Sequence, residues 1–586
     1  MSTLVKDLAK FYDFVVVGGG TSGLTVASRL SEKSDIQVLV LEAGHDHLDD
    51  PRVLIPALCM QAPGSELDWQ FMTVPQEQLK QRRVRQPQGQ LLGGSSAINN
   101  QAFISPSSAG IDAWAKLGNA GWTWAEIEPY YRKFYTLNVP DEATSQHLGL
   151  DYITDTDREA RGPVQVSYTG VAQDPLSKAW VETFQTLSMA WSETRSYSAS
   201  AFYAPVMERK NLSVLTAAQV DKIHFEENER DRAATSVSFK CEGKTFTVGV
   251  RKEVILAAGT FQSPRLLELS GIGNSQILNS LGIPVMVDNE NVGENLQDHL
   301  MTGISFEVQD GVMTGDSLMR QEPEAMAAAT DLYRNHQAGP LTVGGIASHA
   351  FMPLPTSRPS FGTNSVLEDM LLKCSAHSKN EFQYDESCKR LREQDEASGA
   401  LFMFLAQSNL HNNESVKDYL QNLQPGNFIS LGACQTHVFS RGSSHIISKD
   451  VSDTPCIDPR YFSHPLDLEM FSRHVQFIEK LARSSPLSSH LKPNGKRNHP
   501  TAYVDDLEAA KDYCRTTALS CYHPAGTCAM LPRDEGGVVN NRLTVYGTRN
   551  LRVVDASIMP LIPRSNLQST VYAVAERAAD LIKADL

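Results

Sequence analysis

The stretch Tyr12-Asp-Phe-Val-Val-Val-Gly18, followed by Gly19-Gly20-Thr21-Ser22-Gly23, constrains this chain more than any other part of it. A short β-branched run suits a buried parallel strand, and LTVASRLSE after it carries helical periodicity. Strand, glycine turn and helix together receive a dinucleotide pyrophosphate. Gly18 permits the tight turn, Gly20 lets backbone approach the phosphates, and Gly23 lets the helix pack on the strand. The phosphates then sit at the positive end of the helix, where Thr21 and Ser22 lie. A second apolar strand, Ile36-Gln-Val-Leu-Val-Leu41, runs into Glu42-Ala43. Glu42, nineteen residues beyond Gly23, stands where an acid hydrogen-bonds ribose hydroxyls. The motif predicts a dinucleotide site without separating FAD from NAD.

At 586 residues and 64.5 kDa the chain exceeds what one hydrophobic core supports, which predicts two joined domains. A formal charge of -15, from 68 acidic against 53 basic residues, argues against a nucleic-acid or anionic-membrane partner. No run is long enough to span a bilayer. The N-terminus shows no apolar signal region with a cleavage site, and the nine cysteines form no CxxC pair. Both features predict reduced thiols and an intracellular, cytoplasmic setting. Asn211-Leu-Ser and Asn413-Glu-Ser satisfy the glycosylation pattern at the frequency chance allows.

Residues 89 to 106, GQLLGGSSAINNQAFISP, are too rich in glycine and serine for a helix or strand interior, and a flat cofactor could lie against them. With DWQFMTVPQ (68 to 76), AWAKLGNAGWTWAEIEPYYRK (113 to 133), GTFQSPRLLELSGIG (259 to 273) and VGENLQDHL (292 to 300), the chain resembles the glucose-methanol-choline (GMC) family of FAD oxidoreductases. The late segments HVFSRGSSHIISKD, IDPRYFSHPLDLE, YHPAGTCAM, LRVVDASIMP and VYAVAERAAD are similar to the family in the same order. Two departures stand out. Gln90 replaces a usually basic or small polar residue, and residues 355 to 400 form a charged, partly helical insertion whose expected role is a solvated face, with a lid or dimer contact as the alternative.

The resemblance implies an α/β protein (α+β overall). A Rossmann-like FAD-binding domain is discontinuous over 1–160, 205–310 and 520–586, and a substrate domain over 161–204 and 311–519 carries an antiparallel sheet backed by helices. Independently, KEVILAA (252 to 258) is a strand run ending at glycine, and NLSVLTAAQVDKIHF supplies two short strands. The resemblance puts Leu92, Gly93, Ser95, Asn99, Asn100 and Ala102 against FAD and the Val220 backbone near adenine. It puts Asp555 and Ala556 at the ribityl and pyrophosphate groups, with Asp555 accepting from ribityl hydroxyls, and Gln568 at the flavin. Ala97 to Phe103 contain no histidine, so the FAD is expected to be non-covalent.

In the family the histidine of an H-P-x-G-T pattern faces the flavin, which here is His523. Oxidising an alcohol removes a hydroxyl proton while hydride leaves the same carbon for flavin N5, and an imidazole ionises in the right range for the proton. The second family position falls on Asn566, which cannot take a full proton and is expected to orient the substrate oxygen. A helix cap is the alternative role for Asn566. His299 is expected to be scaffold, and His437 and His445 strand or surface residues. The implied activity is oxidation of a small-molecule alcohol to a carbonyl, with electrons passed to oxygen or another acceptor, in a monomer or homodimer and in a specialised role such as secondary metabolism. A hydroxynitrile-lyase-like acid/base enzyme and a catalytically idle flavoprotein are the alternatives.

Overall fold

The computed structural model describes residues 8–586 apart from 149, 151–152, 169–173, 188–196, 227–230, 337, 356–364, 375–380, 394–395 and 412–422. The apolar run Phe11–Val17 is a strand with every residue after the first buried. It lies parallel to Val38–Leu41 on one side and to Lys244–Leu256 on the other. Leu212–Leu215 extends the parallel set beyond Val38–Leu41, and Leu551–Val553 pairs with the end of Lys244–Leu256. That 13-residue strand has two uses. Its second half is parallel and ends in the apolar, buried Val254–Leu256, whereas its first half turns back in an antiparallel meander with Ala234–Cys241 and Gln219–Phe225. The two short strands expected from NLSVLTAAQVDKIHF are Leu212–Leu215 and the first part of this meander.

Helix Thr21–Leu30 packs on the C-terminal helix Leu567–Ala584, locked by an Arg29 to Glu576 ion pair at 2.7 Å whose carboxylate is fully buried. The glycine turn and the start of the last helix are thereby brought to one place from opposite ends of the chain.

A second sheet is wholly antiparallel, in the order Ile346–Met352, Gly399–Phe404, Phe428–Gln435, Leu300–Glu307, Leu519–Ser520. Helices Pro465–Ala482 and Leu507–Thr517 back it. This is the expected architecture, a Rossmann-like sheet beside a helix-backed antiparallel one. Leu300–Glu307 falls before the boundary expected at 310 but pairs in the second sheet, because its alternating apolar residues face that core.

Two expectations change in the irregular parts. Helix Glu381–Leu391 of the insertion is not a solvated face: Gln383, Tyr384, Glu386, Cys388 and Arg390 are buried, and Gln383 donates to the Pro560 carbonyl at 2.9 Å. Residues 356–364, 375–380 and 394–395 of the insertion lie outside the described residues. The Asn211 amide is sealed against the carbonyls of Ser31, Lys33 and Ile36, which leaves no room for a glycan, and Asn413 lies outside the described residues. No helix among the described residues is long and apolar enough to cross a membrane.

Candidate active site

A cavity of about 230 Å³ runs between the glycine turn and the second sheet. Of the residues predicted from sequence, Gly18, Gly20, Thr21, Ser22, Glu42, Ser95, Asn99, Asn100, Ala102, His523, Asp555, Ala556, Asn566 and Gln568 line it. Gly23, Ala43, Leu92, Gly93 and Val220 do not. Gly23 has the packing role expected of it, since a Cβ there would lie 1.9 Å from the Gly18 carbonyl oxygen. Gly93 donates to the Gly19 carbonyl at 2.8 Å, and Leu92 packs over Gly19. The Ala43 N–H acts on the Glu42 carboxylate. Val220 pairs with Phe239 inside the meander and is buried there, away from the cavity.

At the turn end, two glycine segments meet. Gly94 has φ 54° and ψ -143°, and a Cβ on it would lie 2.8 Å from Gly20 Cα. Ser95–Ile98 follows as a single helical turn inside the segment expected to be irregular. Helix Thr21–Leu30 begins with no side-chain cap and no acid in its first turn, so its leading N–H groups face the cavity unneutralised. Glu42 accepts from Gly19 N–H at 2.7 Å with one oxygen and from Gly44 N–H at 2.8 Å with the other. Burial pushes its carboxyl up to about 7 against those donors, and each oxygen keeps capacity for a ligand hydroxyl. Asp555 has no such capacity. One oxygen accepts from Gly259 N–H (3.0 Å) and Ser263 Oγ (2.5 Å), the other from Ser557 N–H (2.9 Å) and Oγ (2.5 Å). The expected acceptor of ribityl hydroxyls is instead a brace that ties the Gly259 turn to residues 555–557.

At the far end, residues 297–301 and 519–525 run side by side. Gln297 and Ala525 exchange two backbone hydrogen bonds, Cys521 N–H donates to the His299 carbonyl, and Leu300–Met301 pair with Leu519–Ser520. Tyr522 takes φ 63°, a left-handed turn rare for a bulky side chain, and its N–H donates to Ser520 Oγ at 2.8 Å. His523 follows. Its backbone N–H donates to Asp298 Oδ1 at 3.0 Å, and Asp298 Oδ2 accepts from the hydroxyls of Ser520 (2.6 Å) and Tyr461. Burial pushes the Asp298 carboxyl up to about 6.

The His523 ring meets Asn566 and His299 and is also hydrogen-bonded by the Cys521 side chain. Nε2 is 3.0 Å from Asn566 Nδ2, and Nδ1 is 3.1 Å from Nδ1 of His299. Asn566 occupies the cap position of the last helix but makes no capping hydrogen bond; its amide faces His523 instead. His299 is therefore no scaffold residue but a direct neighbour of the imidazole. Burial opposes a proton on His523, but Cys521 and the Asp298 carboxylate outweigh it and the net direction is upward. His299 and His349 move the other way, pushed down by burial and by His523, His349 to about 4. His437 is buried and paired with Glu396 at 3.3 Å, and His445 bridges Glu268 and Glu294 beside its strand.

Sequence reasoning missed Asp298, His299, Gly94, Gln88, Gly259 and Cys521. The first two stand in the quoted NLQDHL segment, and the visible signal was an acid and an imidazole adjacent in a motif with no other duty.

The GMC oxidoreductase family models match residues 12–301 and, for the C-terminal part, 438–575. A dehydrogenase, mpl7, of Monascus purpureus is 34% identical over 622 residues, covering 98% of this chain and 96% of that protein. An FAD-dependent oxidoreductase of Chaetomium thermophilum superposes with a TM-score of 0.84 at 27% identity, covering 98% of this chain and 99% of that one. A fungal aryl-alcohol oxidase superposes at 0.82 with 28% identity, covering 99% and 100%. Fold, cavity and these likenesses define an FAD-dependent oxidoreductase. The chain belongs to the GMC oxidoreductase family.

The residues present fit FAD. The Gly18 and Gly94 positions admit no Cβ, the helix start offers unneutralised N–H groups to a pyrophosphate, and Glu42 faces the same end for a ribose. Among the described residues no cluster of His, Cys, Asp and Glu could hold a metal ion.

Proposed function

We propose that the protein oxidises a small-molecule alcohol to a carbonyl compound, with His523 as the base. The observation that carries this reading is the His523 to Asn566 contact at 3.0 Å in the wall of the cavity that begins at the glycine turn. Bound FAD supplies the acceptor for the hydrogen and electron pair that leave the carbinol carbon. The chain's own groups deal with the hydroxyl. An Asn566 N–H pointing at Nε2 requires a lone pair there, so His523 presents a base to the cavity. A substrate hydroxyl entering between the two side chains donates to Nε2 and accepts from the amide, and its proton passes to Nε2 as the carbonyl forms. Cys521 and the Asp298 carboxylate favour the resulting imidazolium.

Met60, Met301, Ile346 and Val571 give the cavity an apolar wall beside this pair, which suits an organic alcohol and limits water. FAD is held without a covalent bond, in keeping with the lack of histidine at 97–103. On this reading residues 1–160, 205–310 and 520–586 serve the cofactor and 161–204 and 311–519 the substrate, with Leu300–Glu307 passing from one to the other. The electrons pass to oxygen or another acceptor.

Anaerobic mixing with an alcohol panel tests the proposal. An alcohol that bleaches the yellow flavin and is recovered as its carbonyl supports it; turnover with the flavin oxidised throughout would instead indicate acid/base chemistry of the lyase kind.

A further inference from the structure

The His523 base needs its lone pair on one nitrogen and its proton on the other, and a neutral imidazole exchanges the two arrangements readily unless a neighbour fixes them. Behind His523, off the cavity, the neighbour at Nδ1 is another imidazole, and the Cys521 side chain is also hydrogen-bonded to the ring. His299 Nδ1 lies 3.1 Å from His523 Nδ1, with the rings nearly perpendicular (82°) and centroids 5.3 Å apart, an edge-on contact suited to one N–H···N hydrogen bond. Two nitrogens facing each other must divide the roles, and Asn566 decides which. Its Nδ2 faces His523 Nε2, so Nε2 carries the lone pair and Nδ1 the proton. His299 must then accept at Nδ1.

We infer that His299 is the positioning residue of the base: it accepts the His523 Nδ1–H, fixes the tautomer that exposes Nε2 to the substrate, and holds the ring. This rests on His523 being the base, as proposed above. The ring of His299 is itself buried, and its backbone is held by the bond from Cys521 N–H to its carbonyl at 2.7 Å, in the paired segment that sets His523. A buried carboxylate in this position would hold the same tautomer and also trap the proton. A neutral imidazole holds it without adding charge, and what favours the imidazolium comes from elsewhere, from Cys521 and from the Asp298 carboxylate. The titratable groups facing His523 are Asp298 and His299 from the 297–301 segment, Cys521 from its own segment, with Cys434 behind it, and His349 from strand Ile346–Met352.

The test uses the FAD-loaded protein labelled with 15N-histidine, where ring nitrogen shifts report the tautomer directly and His523 is assigned by the signal lost in His523→Ala. Wild type is expected to show His523 protonated at Nδ1; protonation at Nε2 overturns the inference. His299→Phe, which keeps the bulk and removes the acceptor, should give a mixture of tautomers and lower the anaerobic flavin-reduction rate about 10- to 100-fold with FAD retained. His299→Gln, whose side-chain oxygen can accept, should recover most of that loss and guards against a Phe variant that does not fold. A purely structural role would leave the tautomer and the pH profile of reduction unmoved in both variants, and that result overturns the inference too. Combining His299→Phe with His523→Ala should be no slower than His523→Ala alone, and multiplying losses would show that His299 acts elsewhere. If His523→Ala by itself reduces flavin at the wild-type rate, the base assignment falls while the tautomer measurement stands.

Discussion

Replacing Gly94 by alanine isolates the cofactor cradle from the rest of the fold. Gly94 has φ 54° and ψ -143°, a conformation that side chains avoid, and a non-glycine residue there costs about 1–3 kcal/mol. The added Cβ would also stand 2.8 Å from Gly20 Cα, a backbone atom that cannot rotate away, so the two glycine segments must separate by roughly half an ångström to restore ordinary contact. The strain lowers folding stability, and the forced separation of the two segments weakens FAD binding by about 1–3 kcal/mol, or roughly fivefold to a hundred-and-fifty-fold in Kd. Gly243→Ala is the matched control. It also has positive φ (72°), but nothing lies within 4 Å of its Cβ and it sits in a hairpin away from the cavity. It should lower stability by about 1 kcal/mol and leave FAD affinity unchanged. The assay is titration of apoprotein with FAD, followed by quenching of flavin fluorescence. A folded Gly94→Ala variant with wild-type FAD affinity would refute the assignment of this glycine pair to the cofactor.

Asp555→Asn leaves one backbone N–H, that of Gly259 or Ser557, facing an amide nitrogen whichever way the side chain turns. Denaturant unfolding of the FAD-loaded variant should show a loss of about 2–4 kcal/mol, and no loss would remove the bracing role. At His445 burial works against protonation, but Glu268 and Glu294 outweigh it and push the imidazole up to about 9. A raised folded value means stability fully present below the unfolded value near 6.5 and lost as pH rises through about 9, at most about 3 kcal/mol. His445→Gln should flatten that fall in the unfolding midpoint, and an unchanged slope would contradict it.

What could be read from the sequence was whatever depends on neighbours in the chain. Phe11–Val17, apolar except for Asp13, and Val38–Leu41 are hydrophobic because a parallel strand is buried on both faces, and Gly23 is forced by the Gly18 carbonyl in the same turn. Asn566 was legible through its spacing from His523, but only the absent capping bond separates its roles. The rest depends on pairing between distant segments. His299 looked like scaffold because its proximity to His523 comes from the Gln297 to Ala525 ladder across more than two hundred residues. The insertion looked solvated because its charges are individually ordinary; Glu386 and Arg390 are buried by the elements that close over them. Asp555 was correctly placed in the cavity wall, yet its four donors come from three different positions in the chain and leave it no part in binding hydroxyls.

Neutral His523 is proposed to take the hydroxyl proton. Anaerobic stopped-flow reduction of the bound flavin by a substrate alcohol, in wild type and His523→Ala across pH, tests it most directly. In wild type the rate should fall as pH drops through one ionisation above the ordinary histidine value of 6.5, because protonation removes the base and its neighbours raise its affinity for the proton. In His523→Ala that acid limb should vanish and the rate should be lower by about 10²- to 10⁴-fold with FAD still bound. A wild-type rate, or the same acid limb, in the alanine variant would show that another group takes the proton.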